Sequence, residues 1–134
     1  MTAGYSGTPL ARKLGVKDGS RVLLVGAPNG FDLGALDGPA HIHRRAGGSP
    51  YDVVLAFCGD RRTVGRRFSE LTQRTTTAGA LWIAWPKRSS GVRTELDENV
   101  VRDTGLDAGL VDVKVCAVDE TWSALKFVRR LKDR

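Results

Sequence analysis

Six residues in the second half of this chain, Lys87, Ser89, Ser90, Asp119, Glu120 and Trp122, carry side chains from which a small-molecule site can be made. A cation and two hydroxyls suit an anionic group, two carboxylates accept hydrogen bonds or act as a general base, and an indole offers a stacking surface. Earlier in the chain, Gly26 and Gly30 punctuate the run RVLLVGAPNG, where an apolar strand gives way to a turn. Glycines there let the backbone approach a ligand, and a helix starting after the turn presents unpaired N–H groups to it. Pro28 between them has no N–H and a fixed φ, so the turn loses a central donor. A plain strand-to-helix turn shaped by Gly and Pro reads the same residues equally well. Arg61 and Arg62 open the most basic helix of the chain and are the candidates for contact with an anion.

Other chemistry-bearing residues form no constellation. His41 and His43 flank Ile42, so on a strand both point to one face. Two histidines without a third ligand read as solvent-facing side chains, and no metal site is expected. Cys58 and Cys116 belong to no C-x-x-C pair and lie in or beside apolar strands, where a thiol behaves as a small hydrophobe. The loop from Lys87 to Gly91 has the composition of an anion-binding loop but lacks the P-loop spacing.

These residues must be placed by an alternation of strands and helices. Thr8 and Pro9 read as an N-cap and a first helical residue, with Leu10 and Leu14 on one face and Gly15 as the stop. Residues 21–26 form the first strand, residues 31–36 a helical turn, and residues 40–44 a short second strand, followed by a loop over 46–50. The continuous apolar run 51–58 predicts a central parallel strand covered on both faces. Asp60 caps a helix running to about residue 75, with Val64, Phe68 and Leu71 buried and Arg66, Glu70 and Arg74 as an outer ladder. Residues 80–85 form the next strand, ended by Pro86. Thr94 and Asp97 then resemble a capping box for a helix that ends near Gly105 or Gly109. Strands over 110–118 and 124–129, joined by the turn 119–122, close the chain as an antiparallel hairpin, and 131–134 is a basic tail.

The whole is expected to be a single α/β domain over residues 1–134, a Rossmann-like three-layer sandwich, with residues 1–7 a loose leader. Hydrophobic residues at 41% and charged residues at 27% exclude a disordered chain, and no apolar run approaches the ~20 residues of a membrane span. The N-terminus has no signal-peptide core, which points to the cytoplasm. A net charge of +6 favours nucleic acid or acidic protein surfaces as partners, although solvated helix faces account for most of it. If the strands starting at 21, 51, 80 and 110 run parallel, their carboxyl ends form one edge that gathers residues 26–30, 58–61, 86–91 and 119–122. Open α/β sheets bind ligands at that edge.

The order GVKDGSRVLLVG, YDVVLAF, GALWIAW and a closing hairpin resembles a shortened class I methyltransferase-type Rossmann domain. The resemblance implies S-adenosylmethionine or a nucleotide as the ligand. The chain departs from that pattern in three ways: Gly26-x-Pro28-x-Gly30 replaces G-x-G-x-G, Arg44 and Arg45 replace the ribose-binding acid after the second strand, and one strand-helix unit is absent. The stretches GYSGTPLARKLG, ALWIAWPK, SSGV and VDVKVCAVDETWSALKFVRR are similar to a family of short, mainly actinobacterial proteins classed as a domain of unknown function. Three functions follow as expectations. The first is a non-enzymatic binding or regulatory module on a degenerate methyltransferase-like scaffold. The others are a small SAM- or nucleotide-dependent enzyme with Asp119 or Glu120 as base, and a binder of nucleic acid or an acidic partner.

Overall fold

The computed structural model describes residues 7–134; of the loose segment expected over 1–7, all but Gly7 lies outside the described residues. Six strands form one sheet in the order β2-β1-β3-β4-β6-β5, from β1 (Arg21–Val25), β2 (His41–His43), β3 (Tyr51–Phe57), β4 (Thr75–Pro86), β5 (Leu110–Ala117) and β6 (Trp122–Arg129). β1 to β4 pair in parallel, whereas β6 is antiparallel to both β4 and β5. The fold is therefore α/β and Rossmann-like, a mostly parallel sheet closed by an antiparallel C-terminal hairpin. No helix among the described residues is long and apolar enough to cross a membrane.

The helices are α1 (Leu10–Leu14), α2 (Arg61–Leu71) and α3 (Glu98–Asp107). On one face of the sheet, Val64, Phe68 and Leu71 of α2 and Val101 of α3 pack with Leu23, Val54, Ile83, Leu125 and Phe127 of the strands. On the other, α1 and Leu33 cover Val22, Leu24, Leu55, Phe57, Trp82 and Ala124. Trp82 is fully buried in this second core and donates Nε1–H to Leu14 O at 3.1 Å, which ties the C-terminus of α1 to the middle of the sheet.

Several boundaries differ from the sequence expectation, each for a local reason. No helical turn forms over 31–36: Gly30 and Gly34 have φ of 81° and 75°, and Asp32 Oδ1 accepts from Gly34 N at 2.7 Å, a turn that competes with helix. The first helix starts at Leu10 and no side chain caps it, so Thr8 is not an N-cap. α2 stops at Leu71 rather than near 75. The threonine-rich stretch after it favours extended backbone, and β4 begins at Thr75, five residues before the expected strand. Arg74 thus leaves the helical ladder, while Glu70 keeps the expected pair with Arg66 at 3.4 Å and adds Arg67 at 3.8 Å. Gly79 sits inside β4, where a β-carbon would stand 2.8 Å from Asp52 O beside the register shift in β3. Thr94 is not part of a capping box: its hydroxyl donates to Gly59 O at 2.8 Å, and Asp97 alone caps α3 by accepting from Val100 N. β6 starts at Trp122 rather than 124, so the tryptophan belongs to the strand, and the basic tail includes a 3-10 turn, Leu131–Asp133.

Candidate functional site

The carboxyl ends of β1 to β5 do lie along one edge, because β5, antiparallel to β6, again runs with β4. The chain leaves β1 outward to β2 and returns to β3 on the other side, which makes the β1/β3 gap the topological switch point of the sheet. Gly26 closes that gap: it has φ of 67°, and a β-carbon on it would lie 3.1 Å from Phe57 O. Only glycine combines that conformation with that approach.

Two cavities open from this turn. A crevice of about 500 Å³ is lined by Leu24, Gly26, Ala27, Pro28, Asn29, Gly30 and Arg44, at the ends of β1 and β2. Arg44 is exposed and its Nη2 donates to Phe31 O, which holds the guanidinium over the turn. An open groove of about 700 Å³ runs beside it, between Thr8 to Leu10, residues 30–35, and Val118 with Asp119. An aromatic row floors the edge. Phe31 meets Phe57 at 5.0 Å and Phe57 meets Trp122 at 5.1 Å, both edge-to-face.

The expected site residues divide between these features and other work. Gly26 and Gly30 line the crevice, and Gly30 and Asp119 share the groove. Lys87 and the hairpin turn meet through Lys87 N–H donating to Thr121 O at 2.8 Å. Asp119 Oδ1 accepts from Thr121 N and Trp122 N at 2.8 and 2.9 Å, so one of its oxygens shapes the turn. Trp122 lies partly buried against Phe57. Glu120 and Ser89 are exposed. The Ser90 hydroxyl donates to Lys87 O and accepts from Val92 N, closing its own 3-10 turn, Arg88–Ser90. Arg61 and Arg62 are exposed at the start of α2, whose backbone donors already meet carboxylates: Arg61 N–H donates to Glu95 Oε1 at 3.0 Å and Thr63 N–H to Asp60 Oδ1 at 2.7 Å.

Neither thiol is poised as a nucleophile. Burial pushes Cys58 up to about 12 and raises Cys116 as well. His43, expected to face solvent, is half-buried and hydrogen-bonded through Nδ1 to the Tyr51 hydroxyl at 2.9 Å; His41 is exposed. Among the described residues no three His, Cys, Asp or Glu side chains gather to hold a metal. Residues that sequence reasoning did not place in a cavity are Arg44, Asp32 and the Thr8–Pro9–Leu10 entry to α1. The basic pair directly after the second strand was the available signal for Arg44.

No family model matches the chain, and no curated protein matches it in sequence. Its fold is shared with solved structures. A SAM-dependent methyltransferase from Aquifex aeolicus superposes with a TM-score of 0.57 at 16% identity, over 87% of this chain and 85% of that one. Fibrillarin from Aeropyrum pernix, with natively bound S-adenosyl-L-methionine, gives 0.59 at 17% identity, over 93% and 70%. Magnesium protoporphyrin IX methyltransferase from Synechocystis, with bound SAH, gives 0.58 at 12% identity, over 84% and 75%. At these identities the likeness is one of fold alone.

Proposed function

We propose that this chain, acting as one cytoplasmic domain, is a methyltransferase-like protein that binds an adenosine-containing small molecule, S-adenosylmethionine or a nucleotide, at the carboxyl edge of its sheet. The observation that supports it most is the pairing of a fold shared with SAM-dependent methyltransferases with a crevice at the carboxyl ends of β1 and β2, walled by the left-handed glycines Gly26 and Gly30. The adjoining groove would take a second molecule or the remainder of the first. The likeness to the short actinobacterial proteins fits the same edge: stretches from that likeness meet where Lys87 bonds Thr121, and another enters the groove through Thr8, Pro9 and Leu10. Isothermal titration of the whole chain with S-adenosylmethionine, S-adenosylhomocysteine and adenine nucleotides tests the reading. Saturable binding of at least one supports it, and no heat from any of them at high protein concentration overturns it.

A second reading, the same scaffold without catalysis, rests on the acid-base inventory. Asp119 spends one oxygen on its turn, Glu120 is exposed, and neither is hydrogen-bonded or ion-paired to a second titratable side chain among the described residues. Group transfer between two bound molecules draws mainly on positioning, so the absence of an acid-base pair does not separate the two readings. Turnover does: release of S-adenosylhomocysteine from the donor in the presence of the chain's own cell extract would exclude the non-catalytic module.

A further inference from the structure

We propose that the crevice beyond β1 and β2 selects an adenine nucleotide that carries an additional phosphate on its ribose 2′-hydroxyl over adenosyl compounds whose 2′-hydroxyl is free. The inference rests on the binding reading above and decides between its two ligand classes. Arg44 directly follows β2, 14 residues beyond Gly30, at the strand end where an acidic side chain would hydrogen-bond ribose hydroxyls and an arginine accommodates a ribose phosphate. Among the described residues the crevice it lines holds no carboxylate, and Arg45 is the next residue in sequence. Among the described residues Arg44 makes no ion pair.

Its one hydrogen bond, from Nη2 to Phe31 O, orients the guanidinium and leaves Nε and Nη1 for a ligand. A planar fork matches phosphate oxygens in pairs, which an ammonium does not. Among the described residues the backbone N–H groups of Ala27, Asn29 and Gly30 in the same lining have no protein partner, so the crevice supplies neutral donors along with the cation. A methyl donor has the opposite charge logic. Its sulfonium and ammonium outweigh its one carboxylate, so its net charge is positive, and its adenosine end brings no anion to Arg44.

The test is titration of the full chain with adenosine 2′,5′-bisphosphate, adenosine 5′-monophosphate, S-adenosylhomocysteine and S-adenosylmethionine, alongside ¹H–¹⁵N spectra. The expected result is that the bisphosphate binds at least about tenfold more tightly than the other three, as charge-assisted contacts allow, with resonances of Ala27, Asn29 and Gly30 moving. Arg44→Ala should erase that preference and Arg44→Lys should keep only part of it, while Arg45→Ala keeps most. Circular dichroism of each variant separates a lost contact from a lost fold. Raising salt should narrow the preference, since Arg44 is exposed. If S-adenosylhomocysteine or the methyl donor binds as tightly as the bisphosphate and moves the same amides, the binding reading stands and this inference fails. If no probe binds, both fail. Bisphosphate binding that Arg44→Ala leaves unchanged overturns the inference alone.

Discussion

The two faces of the sheet are built by different means, and the contrast explains where this chain keeps room for a ligand. One face is covered by α2 and α3, whose apolar residues recur at helical spacing and whose first turns are closed by Asp60 and Asp97. The other is covered by a five-residue helix and an irregular stretch after β1, pinned by single anchors: Leu33, Phe31 on Phe57, and the Trp82 to Leu14 hydrogen bond. Helices fill the middle of their face, and space on that side opens only at helix ends, as between the end of α2 and the loop over 46–50, where a cavity of about 630 Å³ lies. Loops fill theirs incompletely, and the crevice and the groove both open beside that stretch. Binding surface is thus concentrated where regular structure is thinnest.

The largest effect that probes this contrast comes from removing one anchor from each face. Trp82→Ala and Phe68→Ala should each lower stability by about 3–5 kcal/mol, measured by denaturant unfolding, because both side chains are buried to 2% exposure or less. They should differ in how the loss spreads. Trp82 also supplies the donor to Leu14 O, so its removal should raise amide hydrogen exchange over α1 and residues 30–35, whereas Phe68→Ala should leave those amides protected. Equal exchange in the two variants would show that the loop-covered face is as cooperative as the helical one.

Next in size is a test of how tightly the helical face is filled. A β-carbon at Gly105 would lie 2.1 Å from Cε1 of Phe127, a ring held edge-to-face on Phe68 at 4.9 Å. Alanine is the better helix former by about 1 kcal/mol, yet overpacking a closed core costs about 1–3 kcal/mol, so Gly105→Ala should be net destabilising. A gain in melting temperature would mean that α3 slides on the sheet, and that this face is no tighter than the other.

The same contrast governs what could be read from the sequence. The helical face was legible because each signal there is local: the Asp60 cap, the spacing of Val64, Phe68 and Leu71, and the apolar runs of β3 and β4. The closing hairpin was legible from its short turn. The stretch after β1 was not, because its conformation depends on two left-handed glycines, the Asp32 turn, and contacts to Phe57 that are distant in sequence. For the site, the carboxyl edge followed from topology alone. Ser90 misleads because hydroxyls satisfy nearby backbone as readily as ligands, and Arg44 stands out in the sequence only as a departure from a pattern, since its place in the crevice depends on the fold.

The smallest effects concern the helix starts, where the two faces also differ. Asp97→Ala removes a cap from α3 and should cost about 1 kcal/mol by urea unfolding. Thr8→Ala should change nothing measurable, since α1 has no side-chain cap. Asp60 adds a pH signature to α2. The hydrogen bond from Thr63 holds its carboxyl below the usual carboxylate range, so the ionised form is favoured by folding. A depressed folded value contributes stability that is present above the unfolded value of about 3.9 and lost as pH falls through the folded one. Asp60→Asn should therefore flatten the acid limb of the stability curve below about pH 4 while keeping a side-chain acceptor at the cap. Thr8→Ala should leave that limb as steep as in the parent chain. If Thr8→Ala instead lowers stability as much as Asp97→Ala, α1 is capped in solution, and the loop-covered face is more regular than its hydrogen bonds indicate.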